Sequence, residues 1–122
     1  MYSYTETIRE FFNVGLRETD YGVVVTTDIF FSGSDESVAL FVSQSDGGYV
    51  VDDCHSVTDY WEYSYISPED YQERIDKISE SFGLTFDGTR FSKKSLDDSE
   101  WSLRHLIGSF LQAVSLLGNI NV

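Results

Sequence analysis

The densest meeting of reactive side chains in this chain is Asp52-Asp53-Cys54-His55. Carboxylate, thiolate and imidazole all ligate divalent metals, and Asp28 and Asp59 are further ligands that neighbouring elements could bring in. Geometry speaks against such a site. Consecutive residues on a strand point to opposite faces, so neither Asp52 and Asp53 nor Cys54 and His55 converge without a bend. The same objection separates a Cys54 nucleophile from His55 as its base, and His105 could join only if the fold recruited it. Metal-dependent nucleases set paired acids beside a lysine, and Asp28 and Asp52 imitate the acids. Residues 18–73, however, contain no lysine to complete that set. The plainer reading is two water-facing aspartates where a strand enters a turn, beside a cysteine acting as a small hydrophobe. Gly47-Gly48 and Asp87-Gly88 read as hairpin turns, without a phosphate loop or a dinucleotide fingerprint. No catalytic residue, metal ligand or cofactor is therefore assigned.

The formal net charge is −13, from 21 acids and 8 bases, and its placement says more than its size. Thirteen acids and no lysine or arginine fall between Glu18 and Glu73, while the rest of the chain sets eight acids against eight bases. A solvated face would explain acidity as such. Solubility does not require every base to be excluded from half the chain, and interspersed bases would relieve the self-repulsion of a single-sign surface. The segregation suits a field that steers a basic partner and repels nucleic acid. Direct binding of DNA or RNA through this window is not expected.

Tyr60, Trp61, Tyr63 and Tyr65 are interleaved with Asp59 and Glu62. Trp and Tyr are favoured interface anchors, and the tyrosines carry polar tips suited to a wet boundary, although core packing accounts equally well for Trp61. Single-strand binders also use aromatics, but over a basic groove, which is absent. The expected partner-binding set is Asp28, Asp35, Glu36, Asp46, Asp52, Asp53, Asp59, Tyr60, Glu62 and Tyr63.

One domain must carry these residues, because 13.9 kDa leaves no room for a second core. Hydrophobic residues at 41% and charged ones at 24% are an ordinary globular mix. No apolar run approaches the ~18 residues of a membrane span. The N-terminus lacks the basic and apolar blocks of a secretory signal, and the single cysteine rules out an internal disulfide. A soluble, cytoplasmic protein is expected.

Thr5 or Thr7 is a cap for a first helix toward Leu16, with Ile8, Phe11, Phe12 and Gly15 on one stripe. β-branched and aromatic density predicts strands at residues 21–31, 38–42 and 49–53, joined by turn chemistry that favours an antiparallel meander. Residues 59–66 read as a short edge strand or extended loop, with Trp61, Tyr63 and Tyr65 on one side. Ser67-Pro68-Glu69-Asp70 starts a helix that stops at Gly83, its inward residues being Tyr71, Ile75, Ile78 and Phe82. A small hairpin turns about Asp87-Gly88. The final helix, capped by Ser95 or Ser99, ends near Gly118, and its apolar set is too broad for one surface stripe. Either the first helix, through Phe11 and Phe12, covers its second side, or a second copy of the chain does, as a homodimer. The dimer is slightly preferred.

Three short motifs resemble a small family of uncharacterised phage and prophage proteins, over roughly residues 20–118. They are the strand ending in paired aspartates, Tyr49-Val50-Val51-Asp52-Asp53; the helix closing on a Phe-Gly-aliphatic step and its short hairpin, Ser81 to Phe91; and the Phe110-Leu111-Gln112-Ala113 core of the last helix, followed by aliphatics. Cys54 departs from the family, where glycine is usual. The resemblance implies a phage setting, hence the host cytoplasm, and carries no established activity.

The expected fold is α+β, a mainly antiparallel sheet of three to five strands covered on one face by two or three helices. The expected function is non-catalytic: an acidic inhibitor or adaptor that presents its acidic face to a basic nucleic-acid-binding protein; the resemblance to phage proteins implies, more specifically, a DNA mimic acting on a CRISPR effector or restriction enzyme. A second reading is a small metal-dependent hydrolase at Asp28, Asp52 and Asp53, and a third is a dimeric accessory protein.

Overall fold

Alternating burial along the β-branched runs builds the sheet. In the computed structural model, which describes residues 2–12 and 14–122 (the backbone alone at Phe11), Val23, Val25 and Thr27 of one strand point inward. Val38, Leu40 and Val42 do so from the next strand, and Tyr49 and Val51 from the third. The described elements run α1 (Ser3–Phe11), β1 (Gly15–Glu18), β2 (Val23–Phe30), β3 (Ser37–Ser45), β4 (Gly48–Asp52) and α2 (Ser56–Tyr63). A 3-10 turn (Pro68–Tyr71), α3 (Gln72–Phe82), β5 (Thr85–Phe86), β6 (Phe91–Lys94) and α4 (Glu100–Gly118) follow. The strands form one antiparallel sheet in the order β1-β2-β3-β4-β6-β5. The fold is α+β, with, among the described residues, a six-stranded sheet where three to five strands were expected and four helices where two or three were.

All four helices pack on the face that carries Val51 and Tyr49. Lys93, the register partner of Val51, donates from Nζ to Ser109 Oγ of α4 at 2.9 Å. Tyr49 meets Tyr4 of α1 edge-on at 5.4 Å and donates to the Asp98 carbonyl at 3.1 Å. Trp61 of α2 donates its indole N–H to the Leu117 carbonyl at 2.9 Å. From α3, Arg74 reaches the Val122 carbonyl at 2.9 Å. Most of the apolar set of α4 is thus buried within the chain, against α1, α2, α3 and the sheet, while Trp101 and Leu116 stay exposed. Phe12 packs against this core, while the expected contact of Phe11 lies outside the described side chains. Close packing fixes the end of α4: a Cβ on Gly118 would stand 2.1 Å from the Phe31 ring.

Other departures have local causes. Helix α1 stops at Phe11, because β1 finds backbone partners along β2, with Gly15 opposite Thr26 and Glu18 opposite Val23. Thr5 does not cap α1. It is buried and donates to Glu18 Oε1 at 2.7 Å, tying the helix to the strand. Residues 56–63 are a helix and not an edge strand: Val57 and Trp61, one helical turn apart, are the buried pair, and Tyr63 and Tyr65 stay exposed. Ser67 caps nothing with its side chain, and Pro68 opens the 3-10 turn ahead of α3. Gly83, at φ +66°, ends α3 in the left-handed conformation, and Ser99 accepts from Ser102 N at 3.1 Å to cap α4. Among the described residues, no helix is long and apolar enough to cross a membrane.

Candidate partner interface

The antiparallel course of the strands brings the end of β2, the start of β3 and the end of β4 to one end of the sheet. Helix α2 packs across that end. Its Ser56 Oγ accepts from Ala39 N at 3.3 Å and donates to Ala39 O at 3.2 Å, locking the helix start to β3. Tyr60, one turn on, stacks at a tilt on Phe31 with ring centres 4.8 Å apart. The Tyr60 hydroxyl donates to the Ser32 carbonyl at 2.5 Å, so α2 also holds the β2–β3 loop.

Between that loop and α2 lies a cleft of about 290 Å³. Phe31 and Tyr60 form its apolar part, Ser34, Ser56 and Cys54 its neutral polar part, and Asp35, Glu36 and Asp59 its carboxylates, with Tyr63 at the edge. The three carboxylate residues are exposed, and Tyr63 is 72% exposed. Among the described residues, no lysine or arginine lines the cleft. Of the expected set, Asp35, Glu36, Asp59, Tyr60 and Tyr63 therefore come together here. Asp28, exposed near the end of β2, and Asp52, at the end of β4, belong to the same end of the sheet. Glu62 lies on the adjoining side of α2, in a second groove. Asp46 sits in the β3–β4 turn at the opposite end, apart from the others.

Asp53 corrects the sequence reading outright. It is fully buried and presents no charge to a partner. Its Oδ1 accepts from His55 N and Phe91 N, each at 3.2 Å, and its Oδ2 from Val57 N at 3.4 Å. One carboxylate thus starts α2 and ties it to β6. Burial pushes the Asp53 carboxyl up to about 6, with Asp52 adding to the rise, against the lowering effect of the three N–H donors.

Asp52 is half-buried, and its contacts are local. Oδ1 accepts from Cys54 N at 2.9 Å, and Oδ2 faces Arg90 NH1 at 3.5 Å. Arg90 also donates from Nε to His55 Nε2 at 3.0 Å, so that imidazole nitrogen is an acceptor. Burial, followed by the charges of Asp52 and Asp53, pushes the Cys54 thiol up to about 11, which keeps it protonated and weakly nucleophilic at neutral pH. His105 stacks on Trp101 near the start of α4, away from the end of that helix where Phe31 and the cleft lie. Among the described residues, no group of three or more His, Cys, Asp or Glu lies together as a metal would need. Arg90 was not in the expected set, since it reaches this turn from 38 residues away and nothing local announces it.

No family model matches the chain, and no curated protein or solved structure matches it either. Each of the three motifs from which a resemblance to phage proteins was expected has a structural task here. Asp53 caps α2, Gly83 ends α3, and Phe110 and Ala113 are buried in α4. The departure at Cys54 has a physical counterpart, because its φ of +50° lies in the left-handed region that favours glycine. Relieving that conformation should outweigh the extra freedom glycine brings to the unfolded chain. Cys54→Gly is expected to raise stability by about 0.5–1 kcal/mol, and the β-branched Cys54→Val to lower it. Denaturant midpoints at unchanged m-value check the pair.

Proposed function

We propose that this protein is a non-catalytic binder of a basic, nucleic-acid-binding protein, engaged through the acidic end of the sheet. The observation that carries the reading is the cleft between the β2–β3 loop and α2, where three exposed carboxylate residues and two tyrosines meet with no base among the lining residues. Carboxylates so placed suit arginine and lysine groups that otherwise hold phosphates, and charge-assisted hydrogen bonds would reinforce the contact. Tyr60 and Tyr63 add contact area at low cost in side-chain entropy. The resemblance to phage proteins extends the proposal to a host defence protein, a CRISPR effector or restriction enzyme, whose nucleic-acid site is blocked by mimicry.

The hydrolase reading has no comparable support. Its three acids are dispersed: Asp53 is buried on backbone donors, Asp52 faces Arg90, and Asp28 is exposed on β2.

The test is capture from host lysate with a low-salt wash followed by a high-salt wash, then titration of the recovered protein up to ~0.5 M salt, where the screening length falls well below 10 Å. Affinity should fall steeply across the range, and added nucleic acid should compete. Binding indifferent to both salt and nucleic acid would end the mimicry reading.

A further inference from the structure

The second groove has a different character from the acidic cleft. Three segments enclose about 610 Å³: α2, the stretch from Ile66 through the 3-10 turn into α3, and the β5–β6 hairpin. Its floor is apolar, made by Trp61, Phe91, Ile66 and Ile75. The floor is rigid. Trp61 meets Phe91 edge-on at 5.9 Å and is anchored through its indole N–H, while Thr58 Oγ1 donates to the Thr89 carbonyl at 2.8 Å to tie helix to hairpin. Phe86 makes a wall: it stacks on Phe91 with ring centres 4.4 Å apart, yet is 45% exposed. Glu62 and Glu69 supply the charge, and no base among the described residues lines the groove. Arg90, on the same hairpin, is turned toward Asp52 and His55.

An apolar floor with a partly exposed aromatic wall and carboxylates alone for charge is complementary to one kind of occupant. We infer that this groove receives a cationic protein segment carrying one large apolar anchor, the side chain of a leucine, phenylalanine or tryptophan flanked by lysines and arginines. The anchor packs against the exposed Phe86 and the accessible edges of Ile66 and Ile75, and the flanking cations meet Glu62 and Glu69. Tyr65, next in the chain to Ile66 of the floor, is 95% exposed and offers a further aromatic contact to a polypeptide. The inference rests on the proposal that the partner is basic, and it adds the apolar contact that charge alone lacks. Steering charges mainly set the rate of encounter, whereas a buried anchor slows departure.

The experiment uses short synthetic peptides with a single leucine, phenylalanine or tryptophan between lysines and arginines, and a control with serine at the anchor. Each is titrated into isotope-labelled protein and followed by backbone amide and indole resonances. The anchored peptides should bind and shift Glu62, Gln72, Gly88 and the Trp61 indole, while the serine control binds at least tenfold more weakly. Phe86→Ala, at the two-residue edge strand, should weaken the anchored peptides about tenfold, the effect of losing ~1.4 kcal/mol of contact. Glu62→Gln with Glu69→Gln, both on the surface, should weaken them and flatten their salt dependence without altering the thermal midpoint. Equal binding of anchored and control peptides, shifts confined to Asp35, Glu36 and Asp59, or no binding at all would each overturn the groove. Salt-sensitive capture of a basic protein would survive any of these, so failure here is separable from failure of the functional reading.

Discussion

Asp53→Ala should lower the stability of the fold by about 2–4 kcal/mol at neutral pH, a large loss for a residue that sequence patterning places at a solvated strand end. The substitution strips the acceptor from three backbone N–H groups, those of His55, Val57 and Phe91, in a place where the side chain is fully buried. Two of these donors start α2 and the third belongs to β6, so helix and hairpin loosen together. Equilibrium denaturation measures the loss. Asp53→Asn separates hydrogen bonding from charge, because the amide oxygen can still accept from His55 and Phe91. It also isolates the proton linkage. The Asp53 carboxyl stands at about 6 in the fold against an ordinary 3.8, so the folded state binds the proton more tightly than the unfolded chain. Stability from this group therefore rises as pH falls through 6 and is complete below the unfolded value, a gain of ~3 kcal/mol. Asp87, Asp97 and Glu18, whose carboxyls are lowered by hydrogen bonds, work in the opposite direction and obscure the effect in the wild type alone. The difference between Asp53→Asn and wild type removes them. It should move by about 2 kcal/mol in favour of wild type between pH 7 and pH 4, the remainder of the ~3 kcal/mol coming only below the unfolded value. A difference that stays flat with pH would mean that the buried carboxylate carries no proton linkage.

Asp53 also shows why part of the fold could be read from sequence and part could not. The end of α3 at Gly83, the hairpin about Asp87-Gly88 and the Ser99 cap of α4 depend on residues adjacent to the feature they set, and the sequence announces them. Helix α2 is set from outside itself. Its first free N–H groups are met by Asp53, whose burial needs Phe91, 38 residues away. Without that contact, the alternation of Trp61, Tyr63 and Tyr65 passes for a strand. Strand β1 is similar, since Gly15 and Leu16 become extended only because Thr26 and Val25 offer a ladder. The candidate site divides along the same line. Charge segregation singled out the acidic residues as candidates, and the interleaved tyrosines added Tyr60 and Tyr63. What charge could not supply was position. Asp46 and Asp35 are equivalent in composition and lie at opposite ends of the sheet, because β3 runs the length of the meander between them.

That opposition gives the functional reading its sharpest control. Replacing Asp35 by Asn, Glu36 by Gln and Asp59 by Asn together should slow association with the basic partner by one to two orders of magnitude at low salt, within the 10–10³ range of electrostatic steering. The fold should be untouched, since the three residues are exposed and relief of their mutual repulsion favours the compact state. Asp46→Asn changes charge at the far end and, at ~0.1 M salt where the screening length is ~10 Å, should leave the association rate within about twofold of wild type. Stopped-flow association at several salt concentrations distinguishes the two cases. If the cleft directs the encounter, the triple variant loses most of the salt dependence and Asp46→Asn keeps it. If the rates depend only on total charge, each removed carboxylate will count alike wherever it sits, and the cleft will have no privileged role. The dissociation rate reports separately on contact. Tyr60 is tied to Ser32 and stacked on Phe31, so its hydroxyl is already engaged, whereas Tyr63 is free to bury against a partner. Tyr63→Ala should therefore hasten dissociation and leave the association rate nearly unchanged, the reverse of the carboxylate variants.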